Sequence, residues 1–228
     1  MKILALDTAT EACSVALGLE GRVLERYIEI ERGHAEQLLP MIDEVLAEGG
    51  IALGALDAIA FGRGPGGFTG VRLAASVVQG LAFGAGLGVV PVSNLAAVAQ
   101  RAADLHPEAR RVLAVNDARM REVYWAEFAV SGLVKVHGAE QVTAAAAVVL
   151  PSEDSDSPWV AVGRGLLAWP ELAGRCRARG AIVLETLLPR AREILNLAIP
   201  TVSAGLALPP DQALPVYVRE RVAEAATS

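Results

Sequence analysis

Residues 62–74 read GRGPGGFTGVRLA, with four glycines and a proline at 62–67 running into an apolar stretch with helical character. A glycine-rich turn that opens a helix presents free backbone N–H groups and the helix's positive end to an anion, so phosphate binding is the first chemistry it raises. Such a site needs partners elsewhere: a lysine, a metal-holding carboxylate, a second glycine hairpin. None is evident. Cys13 and Cys176 form no CxxC pair and no metal spacing, and both lie in runs that bury them as small apolar residues. His34, His106 and His137 are far apart, with no ligand-like spacing, and read as surface, cap or turn residues. Ser14 and Ser76 have no sequence-evident base beside them.

Composition narrows the classes further. Apolar residues make up 53% of the 228 and charged residues 20%, enough for a substantial core. The formal charge of −6 lacks the basic footprint that neutralises phosphates, which disfavours strong nucleic-acid binding by this chain alone. Lys2 and Lys135 are the only lysines, a bias we read as base composition. No basic–apolar leader opens the chain and no disulfide framework is indicated, so a reducing cytoplasm is expected. Leu73 to Gln100 carries no charge, long enough for a membrane span, but Gly84, Gly86, Gly88 and Pro91 interrupt it. A soluble helix, a turn and a buried strand are expected there, with no membrane partner.

The elements that must position these residues recur twice. KILALDTAT, CSVALGL and RVLERYIEI read as three strands, and HAEQLLPMIDEVLAEGG as a helix with a Gly-Gly stop. DAIAFG, the glycine turn with its helix, GVVPVS and NLAAVAQRAADL complete a βββαβαβα order. RRVLAVNDA, REVYWAEFAV and GLVKVHGAEQV begin the series again, followed by TAAAAVVL as a short helix, WVAVG, LLAWPELAGRCRA as one helix, AIVLE and PRAREILNLAIPTVSA. ILALDTA and VLAVNDA occupy the same position in the two copies. The spacing predicts a duplicated α/β protein with mixed sheets flanked by helices. It has one lobe at 1–106, a second at 107–210, and a 211–228 segment that packs back on the first lobe.

Two such units facing each other make the actin-like ATPase fold, with a nucleotide in the cleft. DTATEACSVAL, RGHAEQLLP, GRGPGGFTGVRLAASVVQGLA and ALPVYVRE resemble the TsaB (YeaZ) family over nearly the whole chain, least between about 130 and 205. Gly67 stands where serine is commoner in that family. The resemblance implies a subunit of the bacterial machinery that makes threonylcarbamoyladenosine in tRNA. It implies a partner, TsaD, which transfers the threonylcarbamoyl group; an ATPase, TsaE, in the same assembly; self-association as a homodimer; and tRNA met only indirectly.

The fold resemblance also sets an alternative, an actin-like ATPase or kinase. In such enzymes the first hairpin approaches phosphate, so Asp7, Thr8 and Thr10 form a vestigial nucleotide site, which otherwise caps a strand end. The second hairpin, NDARMREVY, has no glycine, and Arg119, Met120, Arg121 and Glu122 are bulky. The glycine pair of an adenosine pocket has Gly163 and Gly165 as candidates, split by Arg164. In TsaD two histidines at i, i+4 hold a metal; the matching positions here are Asn94 and Val98, and valine cannot ligate. No catalytic residue, metal or cofactor is therefore expected.

The glycine turn has another use: it lets the backbone swing sharply from a buried strand into a helix. That helix is apolar all round, with Phe68, Val71, Ala75 and Val78 on one stripe and Leu73, Val77 and Leu81 on another. A helix apolar on every side must be covered on every side, and the sheet covers only one. With the 34–49 helix it is expected to present a partner face. The stripes expected to be exposed are Leu38, Ile42 and Val45 with Phe68, Val71, Ala75 and Val78; Leu39, Leu46, Leu73 and Val77 are the alternative. The expectation is a non-catalytic scaffold that binds and organises TsaD.

Overall fold

A computed structural model of the chain describes residues 1–152 and 158–219. The first half runs β1 (Lys2–Asp7), β2 (Ala12–Leu19), β3 (Arg22–Glu29), α1 (His34–Gly49), β4 (Ala58–Gly62), α2 (Phe68–Ala85), β5 (Gly88–Val92) and α3 (Asn94–Leu105). The second runs β6 (Arg111–Asp117), β7 (Glu122–Ser131), β8 (Leu133–Ala144), β9 (Trp159–Val162), α4 (Arg164–Ala168), α5 (Pro170–Ala178), β10 (Ile182–Leu184) and α6 (Ala191–Ser203). Sheet orders β3-β2-β1-β4-β5 and β8-β7-β6-β9-β10 repeat the same topology, the duplicated actin-like arrangement. In both, the first hairpin is antiparallel and the later strands join in parallel.

Two expected helices differ. TAAAAVVL forms only a 3₁₀ turn at Ala145–Ala147, because nucleating a helix fixes several dihedrals for one hydrogen bond and Pro151 prevents growth. LLAWPELAGRCRA is two helices, since Pro170 lacks the N–H an unbroken helix needs and instead starts α5 at its first turn.

Strand alternation sends neighbouring residues to opposite faces. Leu4 and Leu6 of β1 pack with Ile59, Phe61, α1 and α2, whereas Ile3 and Ala5 pack with Val90, Ile194 and Leu195. The cover is exchanged between halves. α6, from the second half, lies on the inner face of the first sheet, and α3, from the first half, lies on the second sheet against Val112, Ala114 and Val160. The stretch without charge becomes the end of α2, a left-handed Gly86 cap, β5 and the start of α3. Among the described residues α2 is the one helix long and apolar enough to cross a membrane. Its inner face is buried against the first sheet through Val71, Ala74, Ala75, Val78 and Ala82.

Candidate partner-binding face and interlobe cleft

Between the lobes lies a cleft of about 1110 Å³, floored by the end of β1, the glycine turn and the β6–β7 hairpin. The turn's glycines serve packing against β1. A β-carbon on Gly70 would overlap the Thr8 carbonyl, and one on Gly66 would stand 2.5 Å from the Ala9 carbonyl oxygen. Gly64 takes a left-handed φ of 99°. Its N–H donates to Asn94 Oδ1 at 2.8 Å, the Gly67 N–H donates to the Ala9 oxygen at 2.7 Å, and the Arg63 N–H donates to the Val92 oxygen at 2.9 Å. The Arg63, Gly64 and Gly67 donors are thus turned inward, and the turn seats α2.

Asp7, Thr8 and Thr10 are held by the protein's own groups. Asp7 is fully buried; Asn94 Nδ2 donates to its Oδ1 at 2.6 Å and the Ala9 N–H at 3.3 Å. Burial pushes its carboxyl up to about 6, an effect these hydrogen bonds only partly offset. Thr8 Oγ1 donates to the Gly70 oxygen at 2.7 Å, and Thr10 Oγ1 accepts from the Ala12 N–H at 3.2 Å. His34 holds the Thr10 carbonyl at 2.9 Å, fixing the start of α1.

The second copy of this corner is built differently. Asn116 occupies the position of Asp7 in the repeated ILALDTA/VLAVNDA pattern, is 5% exposed, and neither amide atom has a partner among the described residues. Arg119, Met120 and Arg121 all adopt positive φ (59°, 50° and 63°), a turn that glycine or asparagine ordinarily supplies. Gly163 and Gly165 press α4 against Val115, where a β-carbon would overlap the backbone. Arg164 between them reaches across the cleft to Glu29 at 2.8 Å and Glu11 at 3.6 Å.

Asn94 and Val98, where the resemblance would place the TsaD histidines, are both fully buried, and among the described residues no group of three His, Cys, Asp or Glu side chains is placed to hold a metal. Burial raises the Cys13 and Cys176 thiols to about 11, which keeps them protonated and poor nucleophiles.

The outer helix face corrects the expected stripe. Leu38, Ile42 and Val45 of α1, and Val71, Ala75 and Val78 of α2, are at most 4% exposed, and all but Val71 belong to the first lobe's core cluster. The reason is the sheet: Leu4, Leu6, Val15, Leu17, Ile59 and Phe61 present a continuous apolar surface, and these stripes are what covers it. Of the seven named positions only Phe68 is open, at 51%. The other stripe lies nearer the surface: Leu39 is exposed, while Leu46, Leu73, Val77 and Leu81 are half-buried at the margin of the same core. Ser76, Gly80 and Gly84 run along the same side, and a β-carbon on either glycine would meet nothing within 4 Å. Phe83 at the far end is 82% exposed.

Sequence reasoning missed three residues. Along the sequence Asn94 is only a position that cannot complete a metal pair; the fold makes it the hydrogen-bonding hub for Asp7 and Gly64. Tyr217 and Arg219 belong to the ALPVYVRE motif, whose role became visible only in three dimensions. Tyr217 OH accepts from Arg72 Nε at 2.7 Å, and Arg219 donates to the Ala118 oxygen at 3.1 Å and to Glu122.

Comparison with known proteins places this geometry. A family model described as TsaD, tRNA N6-adenosine threonylcarbamoyltransferase, matches residues 28–158. The tRNA threonylcarbamoyladenosine biosynthesis protein TsaB of Escherichia coli is 42% identical over 98% of this chain and 96% of its own. The protein of the same name from Haemophilus influenzae is 55% identical over 56% of this chain and 53% of its own. The solved structure of YeaZ from Pseudomonas aeruginosa is 45% identical, covers 95% of this chain and 99% of its own, and superposes with a TM-score of 0.85. Matched in sequence and fold along almost its whole length, the chain belongs to the TsaB (YeaZ) family.

Proposed function

We propose that this chain is a non-catalytic subunit of the tRNA threonylcarbamoyladenosine-modifying machinery, which binds and organises the catalytic subunit TsaD through the outer face of α1 and α2. One observation carries the reading. Gly80 sits in the interior of an 18-residue helix and Gly84 in its last turn, both with open space where a side chain would go. Gly80 costs about 1 kcal/mol of helix stability relative to alanine, and among the described residues no side chain packs where either glycine's would lie. Small residues beside Leu73, Val77 and Leu81 suit the close approach of another helix. The same face suits an isologous homodimer, in which two helix pairs meet as four.

The lobe at 1–106 is the partner-binding one, 107–210 the second, and 211–228 a returning segment. Ala213 enters the first lobe's core and the Val216 N–H donates to the Arg63 oxygen at 2.8 Å, while 220–228 lie outside the described residues. TsaE joins the assembly, tRNA is met through the complex, and the compartment is the cytoplasm. The Gly64 and Gly67 donors bonded within the chain, and the bulky left-handed turn of the second hairpin, support this reading over an ATPase. Affinity capture with the immobilised chain tests it. TsaD is retained by the native chain and lost with Val77→Glu. Retention by neither, or binding of the native chain to phospholipid vesicles instead, overturns the reading.

A further inference from the structure

The described end of the chain joins three elements that are otherwise separate. Ala213 is buried in the first core, and the Val216 N–H is bonded to the glycine turn. The Tyr217 ring lies 6.0 Å from that of Phe68, with the Arg72 guanidinium 3.6 Å above the Phe68 ring and hydrogen-bonded to the tyrosine hydroxyl. Arg219 then crosses to the second lobe, where it holds the Ala118 carbonyl and the Glu122 carboxylate and touches Met120 Sδ. Its target is the hairpin of three consecutive left-handed residues, none of them glycine. L-residues populate that region sparsely, so the hairpin holds this shape only when its surroundings impose it.

We propose that residues 213–219 form a strap that couples the α1/α2 docking face to the β6–β7 hairpin at the mouth of the cleft. The inference rests on the docking reading above. Leu214, Val216 and Tyr217 are 60%, 41% and 45% exposed, and Tyr217 stacks at the first turn of α2, where a docked partner extends the cover. A partner that covers Phe68 and Tyr217 orders the strap, and Arg219 passes that order to the hairpin. By linkage, a hairpin held in place favours the docked state in return.

Hydrogen exchange on the full chain, alone and with saturating TsaD, tests the coupling. In the native chain, TsaD slows exchange of the 118–124 amides at least about five-fold, the lower end of ordinary coupling. Arg219→Ala and Glu122→Gln, each checked to be folded, retain TsaD and its protection of α1 and α2 but lose the slowing at 118–124. Slowing that persists in either variant, or its absence from the native chain while α1 and α2 are protected, overturns the strap alone. No protection of α1 and α2 in the native chain overturns the docking reading and the strap together.

Discussion

Asn94 Nδ2 stands 2.6 Å from Asp7 Oδ1, joining the first turn of α3 to the last residue of β1 inside a fully buried corner. The same amide accepts from the Gly64 N–H, so one side chain fixes strand, helix and glycine turn together. Asn94→Ala leaves the buried Gly64 N–H without a partner and the buried Asp7 carboxyl with only backbone N–H donors, each loss costing about 1–3 kcal/mol. Denaturant unfolding is expected to show a loss of about 2–5 kcal/mol, with the transition midpoint moved and its slope unchanged.

The Asp7 carboxyl gives the fold a pH dependence of definite sign. Its folded value, raised from 3.8 to about 6, means the native state binds the proton more tightly than the unfolded chain. Stability therefore falls as pH rises from about 4 to about 6, by up to about 3 kcal/mol from this group. Asp7→Asn keeps an acceptor facing Asn94 and removes the ionisation. Melting curves across that range are expected to be flatter for the variant; an unchanged pH slope contradicts the assignment.

Neighbouring glycines in the turn make opposite predictions. Gly70→Ala drives a methyl group into the Thr8 carbonyl and is expected to prevent stable folding. Gly67 has an ordinary extended backbone (φ −62°, ψ 126°), and its helix start has no side-chain cap. Gly67→Ser supplies the missing acceptor and should raise stability by a few tenths of a kcal/mol, read as a slightly higher Tm.

Metal content follows from the buried Asn94 and Val98. The purified chain is expected to carry no stoichiometric iron or zinc, and elemental analysis giving about one tightly held metal per chain contradicts the non-catalytic reading.

Much of the fold was legible because the pattern of strands and helices occurs twice, and ILALDTA and VLAVNDA mark the same strand in both copies. Which stripe of α1 and α2 faces out was not legible. Both stripes of α2 are apolar at helical spacing, and periodicity says that a face is buried without saying against what. The sheet decides: Phe61, Ile59 and Leu6 claim Ala75 and Val78. Ala75→Glu or Val78→Glu therefore unfolds the first lobe rather than undocking a partner, because it buries an unpaired charge. The exchange of α3 and α6 between sheets was equally hidden, since local sequence fixes a helix but not the sheet it covers.

Gly80→Gln separates folding from docking most directly. Its β-carbon enters open space, so the monomer gains helix propensity and its Tm should rise, by up to about 1 kcal/mol of stability. The same side chain fills the groove where a partner helix must approach. Titration calorimetry with TsaD is predicted to show at least about ten-fold weaker binding, a loss of about 1.4 kcal/mol or more. A stabilised variant that binds TsaD as tightly as the native chain would contradict the claim that the outer face of α1 and α2 is the docking surface.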